Sequence, residues 1–330
     1  MKAIIPVAGA GTRLRPHTYT HPKALIPVGG KTILAHILDS LQESGVTDFV
    51  FVVGYLGEKI KDYISKHYPH LPCSFVEQSN RAGLGEAIYL AKPFIAENEE
   101  IIIVLGDTVL EVNWKEIISL PGNHLAIKKV EDPRGFGLAE FNENQEIFRV
   151  VEKPNIPKSN YALVGLYKIS NSKMLFDCLE NNIKSNAKTQ GEFHLTDGIQ
   201  CMIEQGEKFH AYRVNNWFDC GKKEVLLETN CLLLKKVPQD FDSSKYQNTV
   251  IIPPVFIGAN ADLSNAVIGP NASIGEGAVI KNAVISHSII GEFAKLQDVV
   301  LHESIIGSDA LVKGNRQSLN IGDNTEIDLS

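Results

Sequence analysis

Three runs of this chain are apolar from end to end, and they constrain its fold more than any other feature. They are Ala3-Ile4-Ile5-Pro6-Val7, Phe49 to Val53, and Ile101-Ile102-Ile103-Val104-Leu105; a shorter one starts at Phe75-Val76. A strand with no polar side is buried on both faces, as strands of a parallel sheet between helices are. The segments between them have helical texture. Ile33, Leu34, Ile37, Leu38 and Leu41 recur at helical spacing, with Gly45 where a helix would stop. Glu58 to Lys66 reads as a polar helix and Gly85 to Phe94 as a third. This alternation predicts a parallel α/β sheet, whose ligands sit beyond the carboxyl ends of the strands. The first run ends there in a glycine-rich turn and the last in Gly106-Asp107.

From about residue 124 the texture changes. His124 to Val130, Gly137 to Phe141 and Leu163 to Ile169 predict short strands in mixed pairing beside the parallel sheet. Residues 237–248, VPQDFDSSKYQN, are polar and turn-rich and read as a linker. After it, Ile257-Gly258, Ile268-Gly269, Ile274-Gly275, Ile290-Gly291, Ile306-Gly307 and Ile321-Gly322 repeat one pair, and Ile268, Ile274 and Ile280 are six apart. No helical period runs through this part. It resembles the hexapeptide repeat of a left-handed parallel β-helix, in which each turn has three short strands and each strand turns one aliphatic residue inward. The expected domains are therefore 1–236 and 249–330, and the 330 residues suffice for two cores.

Composition excludes several classes. Lys and Arg number 32 against 39 Asp and Glu, a net charge of −7, which argues against a nucleic-acid or anionic-membrane binder. No stretch approaches the roughly 18 apolar residues of a membrane span. MKAIIPVAGAG turns glycine-rich too soon for a secretory signal. The five cysteines, Cys73, Cys178, Cys201, Cys220 and Cys231, have no C-x-x-C spacing, so neither a disulfide framework nor a zinc knuckle is expected, and a reducing cytoplasm is the natural setting.

The chemistry concentrates in Val7-Ala8-Gly9-Ala10-Gly11-Thr12-Arg13-Leu14-Arg15-Pro16. Gly9 and Gly11 allow a sharp turn and close approach of a ligand, and successive N–H groups after a strand form an anion-binding nest. Arg13 adds a permanent cation that forks onto phosphate oxygens, and Lys23 follows ten residues on. A dinucleotide fingerprint fails because Leu14 stands where its third glycine belongs; a P-loop ending in Gly30-Lys31-Thr32 fails because Leu25 replaces its first glycine. Glu192, His194 and Asp197 form an inviting cluster, but the start of a helix with Thr196 and Asp197 near its cap is the better reading. His287 and His302 read as structural residues of the repeat.

Gly9 to Arg13, Pro22-Lys23-Ala24-Leu25-Ile26-Pro27-Val28, Gly106-Asp107, Glu152-Lys153-Pro154 and Trp217-Phe218-Asp219-Cys220-Gly221 together resemble the sugar-1-phosphate nucleotidyltransferases, over roughly residues 1–235. The glucose-1-phosphate thymidylyltransferase branch is most similar, through Pro157 to Ala162 and Gly165-Leu166-Tyr167. Ala8 departs from the glycine of many relatives, and Cys220 from the usual threonine. The resemblance implies a Rossmann-like, doubly wound, mostly parallel sheet followed by the β-helix. It implies transfer of a nucleotidyl group from dTTP or UTP to a hexose 1-phosphate, with glucose 1-phosphate first. A UTP-specific enzyme, a GDP-mannose-type pyrophosphorylase and an inactive regulatory subunit of the same fold are the alternatives.

The resemblance also assigns roles. Arg13 would meet the triphosphate and the departing pyrophosphate, Lys23 the α-phosphate, and Lys153 the sugar phosphate. Ala8, Gly9, Gly11, Thr12, Gln78 and Gly83 would bind the nucleotide; the Gln78 amide suits a pyrimidine edge. Gly137, Glu152, Leu163 and Tyr167 would line the hexose site, and Asp107 and Asp219 would hold Mg²⁺. Self-association through the β-helix is expected.

Overall fold

The computed structural model describes residues 1–239 and 242–314. The chain divides into one unit formed by Met1–Pro27 with Lys31–Thr229, and a second that contains Val28–Gly30 and the chain from Asn230 onward.

In the first unit, strands β1 (Lys2–Pro6), β2 (Pro27–Val28), β3 (Lys31–Thr32), β4 (Asp48–Val53), β5 (Cys73–Glu77) and β6 (Ile101–Val104) come first, with β2 reaching into the second unit's segment. Between them lie helices α1 (Ile33–Glu43), α2 (Gly57–His67) and α3 (Leu84–Tyr89). Then follow β7 (Thr108–Glu111), α4 (Trp114–Ser119), β8 (Asn123–Lys129), β9 (Gly137–Phe141), β10 (Glu146–Glu152) and β11 (Tyr161–Ile169). Helices α5 (Ser172–Lys184) and α6 (Leu195–Glu204), strands β12 (Phe209–Arg213) and β13 (Asn216–Asp219), and helix α7 (Lys223–Leu234), whose residues from Asn230 belong to the second unit, complete the series.

Nine of these strands form one sheet, ordered β5-β4-β1-β6-β11-β8-β12-β10-β9. β5, β4, β1 and β6 run parallel, β11 is antiparallel to both β6 and β8, and β8 and β12 are again parallel. The sheet is thus mixed: the expectation of a mostly parallel sheet holds for its first four strands and gives way where β11 enters. The strand order reverses between β1 and β6, the position where a doubly wound sheet opens a crevice at its carboxyl edge.

The apolar runs are buried as their composition requires. Ile4, Val50, Val52, Ile101 and Ile103 pack in one core with Ile88 of α3, Leu175 and Leu179 of α5, and Leu195 and Ile199 of α6. The residues alternating with them, Ile5, Phe49, Phe51 and Ile102, are equally sealed, and Phe51 stacks between Phe49 and Phe75. At about 1.5–3 kcal/mol for each fully buried aliphatic side chain, these positions are the main drive for the sheet.

Two expectations need correction, and the rejection of a P-loop gains a physical reason. The helix read over Gly85 to Phe94 ends at Tyr89, and a 3-10 turn, Lys92–Phe94, takes over because Pro93 has no N–H to continue the ladder. Thr32 closes the start of α1 by accepting the Ala35 N–H at 3.1 Å, so the P-loop-like Gly30-Lys31-Thr32 serves as a helix cap. Cys178 of α5 and Cys201 of α6 are joined in a disulfide, contrary to the expectation of none. Packing of two helices, which no local spacing betrays, brings their Cα atoms to 5.9 Å.

The second unit contains strands β14 (Val250–Ile251), β15 (Val255–Ile257), β16 (Asp262–Ile268), β17 (Ala272–Ile274), β18 (Val279–Ser286), β19 (Ile289–Ile290), β20 (Lys295–His302), β21 (Ile305–Ile306) and β22 (Leu311–Lys313). They form two all-parallel sheets, β14-β16-β18-β20-β22 and β15-β17-β19-β21. Equivalent residues stack: Leu263 on Ile280, Leu296 and Val312; Ile274 on Ile290 and Ile306. The six-residue spacing is explained by this arrangement. Ile268, Ile274 and Ile280 end or begin successive strands, and all three are fully buried.

The glycines of four pairs, Gly258, Gly275, Gly291 and Gly307, also stack. A Cβ on Gly275 would come within 2.6 Å of the Gly291 carbonyl carbon, and one on Gly291 equally close to that of Gly307. Only glycine lets adjacent backbones approach there. The Ile321-Gly322 pair lies outside the described residues. The stretch read as a linker carries structure of its own: Tyr246 packs against the core of this unit, and Gln247 bridges to Ser264. No helix among the described residues is long and apolar enough to cross a membrane.

Candidate active site

The loop after β1 turns through Gly11 at φ +59°, a left-handed conformation that favours glycine. The absence of a side chain there also makes room. A Cβ on Gly11 would lie 2.9 Å from Lys23 Cβ, so the glycine lets the lysine stem pack against the loop. Lys23 opens a 3-10 turn, Lys23–Leu25, behind Pro22. Its side chain is 9% exposed, and its Nζ lies 2.6 Å from Asp107 Oδ2 and 3.2 Å from Asp219 Oδ1.

The two aspartates are distant in sequence and close in space for a simple reason. Asp107 leads into β7, and Asp219 ends β13, which pairs antiparallel with β7 so that Asp219 faces Thr108. The Cys220 N–H donates to the Asp107 carbonyl at 3.2 Å and fixes the crossing. Arg13 Nη2 approaches Asp219 Oδ2 at 3.3 Å, but Arg13 is 57% exposed, so this pair is weak and free to exchange. Two cations and two carboxylates thus interleave at the mouth of the sheet, each charge matched by a neighbour. Beneath them Cys220 is buried beside Thr229, and burial pushes its thiol up to about 12, which keeps it inert.

Three recesses meet at Asp107. The first is lined by Gly9, Gly11, Thr12, Arg13, Lys23, Asp107 and Gly221. A second runs past Ala8, Gly9, Gln78, Arg81, Gly83 and Leu84 to Asp107. A third holds Arg13, Asp107, Phe136, Gly137, Glu152, Leu163, Tyr167, Trp217 and Asp219. The structure therefore places, along the three recesses, every residue to which the resemblance assigns a role except Lys153. Lys153 stands beside the third recess, with its Nζ 3.5 Å from Glu152 Oε1.

In the third recess Glu152 Oε2 accepts from Thr196 Oγ1 at 3.0 Å, in the first turn of α6. His194 is the N-cap residue of that helix. It is buried, with its Nε2 2.9 Å from the Thr189 carbonyl oxygen, a structural placement. Tyr167 is fully buried, and burial together with the Glu152 charge raises its phenol well above the ordinary value, so it stays a neutral hydroxyl. Trp217 meets the edge of Phe136 at 4.9 Å between ring centres, an aromatic wall of which only Trp217 stood out in the sequence. Thr196 was also missed, as was Glu86, whose Oε2 accepts from Gln78 Nε2 at 2.9 Å behind the second recess. An acidic residue near a helix start gives no local sign that its side chain turns back toward a cleft.

Among the described residues no group of three or more His, Cys, Asp or Glu side chains converges as a metal cage. What converges is the pair Asp107 and Asp219.

A family model described as "Nucleotidyl transferase" matches residues 2–236. The chain is 35% identical over 262 residues to "Bifunctional protein GlmU" of Methanocaldococcus jannaschii, a match covering 79% of this chain and 61% of that protein. It thus spans about three fifths of the length of that relative. It is 30% identical to "Glucose-1-phosphate thymidylyltransferase" of Streptomyces griseus, covering 81% of this chain and 75% of the relative. Among solved structures, a UDP-glucose pyrophosphorylase complexed with UDP-glucose superposes with a TM-score of 0.63 at 26% identity, over 72% of this chain and 99% of that one. The order β5-β4-β1-β6, the charged cluster at its carboxyl edge and the match over residues 2–236 agree, and the chain belongs to the nucleotidyl transferase family.

Proposed function

We propose that this protein transfers a nucleotidyl group from a pyrimidine nucleoside triphosphate, dTTP or UTP, to a hexose 1-phosphate, with glucose 1-phosphate the first choice. The observation that carries this reading is the meeting of three recesses at Asp107: one rich in cations, one with a base-reading amide, one polar and aromatic enough for a sugar. A phosphate oxygen of the sugar 1-phosphate bonds to the α-phosphorus. The bond from that phosphorus to the β-phosphate's bridging oxygen breaks, and pyrophosphate leaves with the electron pair. The nucleophile is already an anion, so no general base is needed. Catalysis is then positioning and charge neutralisation.

The chain's residues suit those tasks. Arg13 and the loop Gly9–Thr12 would receive the triphosphate and the leaving pyrophosphate. Lys23, held at the centre, would neutralise the α-phosphate. Gln78 and Gly83 would meet the base. Gly137, Glu152, Leu163 and Tyr167 would receive the hexose, with Glu152 binding sugar hydroxyls and Lys153 reaching the sugar phosphate. Asp107 and Asp219 fit Mg²⁺, a hard ion that takes one or two carboxylates and completes its shell with phosphate oxygens and water. Bound there, it would neutralise phosphate charge as a Lewis acid. Arg13, now loosely paired with Asp219, would then turn to the substrates, while Lys23 keeps its place at the centre.

The test is pyrophosphate release from the full chain with Mg²⁺, each of dTTP, UTP, GTP, ATP and CTP, and a panel of sugar 1-phosphates. Release with dTTP or UTP and one hexose is the expected result. Release with GTP or ATP alone overturns the pyrimidine reading, and no release with any pair points instead to an inactive regulatory subunit.

We propose further that the two parallel sheets of the second unit are faces of a left-handed β-helix. The support is the burial of Ile268, Ile274 and Ile280, one in each of three consecutive strands. Val250, Val284 and Val300 form an exposed aliphatic column on one face, 58%, 42% and 79% accessible, and this supports self-association through it. Replacing Val284 and Val300 together by glutamate should lower the mass measured by light scattering to that of a monomer. An unchanged mass refutes the assembly role.

A further inference from the structure

The base end of the cleft holds an amide whose orientation its neighbours decide. Gln78 is 6% exposed, and its Nε2 donates to the Gly83 carbonyl oxygen at 2.9 Å and to Glu86 Oε2 at 2.9 Å. An amide nitrogen carries two hydrogens, so both are spent. Turning the amide over would set its oxygen against two acceptors, a backbone carbonyl and a carboxylate, neither of which donates. The polar atom left to meet a ligand is Oε1, an acceptor.

Glu86 does more than occupy one hydrogen. It lies in the first turn of α3, and the same Oε2 accepts the Ala82 N–H at 2.8 Å, as an acidic residue does when it reaches back over a helix start. That start is pinned from outside as well. The Phe193 N–H donates to the Ala82 carbonyl, and the Gly85 N–H donates to the Phe193 carbonyl, each at 2.7 Å. The carboxylate that holds Gln78 therefore sits on a fixed turn, and its position does not depend on a mobile side chain finding its partner.

Resting on the reading that Gln78 faces the nucleobase, we infer that Glu86 is the positioning residue of the base site: it fixes Gln78 as an acceptor and so selects a base with a ring N–H at its pairing edge. Uracil and thymine carry that hydrogen on N3. Cytosine has a lone pair on N3, and two acceptors facing each other across a buried edge forfeit a hydrogen bond on both sides, on the order of tenfold to a hundredfold in affinity. The thymine methyl takes no part, so this device separates UTP and dTTP from CTP and leaves those two alike.

The experiment measures binding of UTP, dTTP and CTP to the full chain by calorimetry, with KM and kcat alongside, for the native protein and Glu86→Met, Glu86→Gln, Glu86→Ala and Gln78→Ala. Methionine keeps the length of the side chain and removes the acceptor; glutamine keeps an acceptor oxygen. Glu86→Met should shrink the UTP-to-CTP affinity ratio about tenfold, through weaker UTP binding and a raised KM more than a lowered kcat. Glu86→Ala should do the same and serves if the methionine variant misfolds. Glu86→Gln should hold the ratio within about twofold of native, since its amide oxygen accepts the same two N–H groups.

An unchanged ratio in the methionine and alanine variants, with both nucleotides weakened alike, reduces Glu86 to a structural residue and overturns the proposal. So does a glutamine variant as unselective as the methionine one. If Gln78→Ala relaxes the ratio while Glu86→Met leaves it intact, only the role of Glu86 falls. If Gln78→Ala also leaves it intact, the base reading itself is wrong.

Discussion

Replacing Lys23 by methionine should lower kcat for nucleotidyl transfer by about 10³-fold or more, with a much smaller change in KM for either substrate. The reason lies in where the ammonium sits. Its Nζ is within 2.6 Å of Asp107 and 3.2 Å of Asp219, and its stem is packed against Gly11, so it is delivered to the junction of the three recesses with little freedom. On the proposed reading, charge on the transferring α-phosphoryl group would develop at that junction, and a cation held there in advance would need no reorganisation when it does. Methionine keeps the stem and its packing while removing the charge. Lys23→Arg should recover little, because a planar fork does not fit between the two carboxylates that a compact ammonium bridges. Steady-state kinetics, with circular dichroism to confirm the fold, decide the matter. A loss under tenfold would remove Lys23 from the chemistry.

Asp107→Asn should cost about 10²–10³-fold in kcat, and the Mg²⁺ concentration for half-maximal rate should rise at least about tenfold. Asparagine keeps the shape and one acceptor oxygen, so the β7–β13 crossing is retained. What is lost is negative charge, which both the lysine and a hard cation require. The two readouts separate two roles. A fall in kcat with an unchanged Mg²⁺ dependence would mean that Asp107 serves only to hold Lys23. A raised requirement partly overcome by excess Mg²⁺ is the result expected of a metal ligand. Unchanged rates at all Mg²⁺ concentrations would remove Asp107 from the site altogether.

The parts of this molecule legible in its sequence are those set by local rules. Unbroken apolar runs announced β1, β4 and β6, and two glycines announced the sharp turn after the first of them. The Ile-Gly pairs announced stacked strands because each position repeats the same environment. What stayed hidden depends on contacts between distant segments. Strand β10, Glu146–Glu152, follows no clean alternation because it is only partly covered. Cys178 and Cys201 carry no motif, and only the packing of α5 on α6 joins them. Lys153 matched a motif and stands at the edge of the third recess, its Nζ 3.5 Å from Glu152 Oε1, a contact between neighbours in the chain that the motif alone does not describe. Glu86 was invisible because its importance lies in one oxygen shared by two donors, which is a fact of geometry.

The stacked glycines and isoleucines of the second unit also restrict how such a chain can change its length. Each strand residue rests on its equivalent one layer away, Leu263 on Ile280 after 17 residues and Ile280 on Leu296 after 16, so a corner absorbs one residue, whereas inserting or deleting one within a strand would push glycine out of the place where backbones touch and put a side chain in it. Such an error would displace every later residue of that layer at once. A complete layer, by contrast, can be added or removed with each remaining residue still finding an equivalent partner. Growth of this part of the molecule is therefore quantised within its strands: descendants of the gene can gain or lose whole storeys, and single-residue steps are confined to the corners between strands.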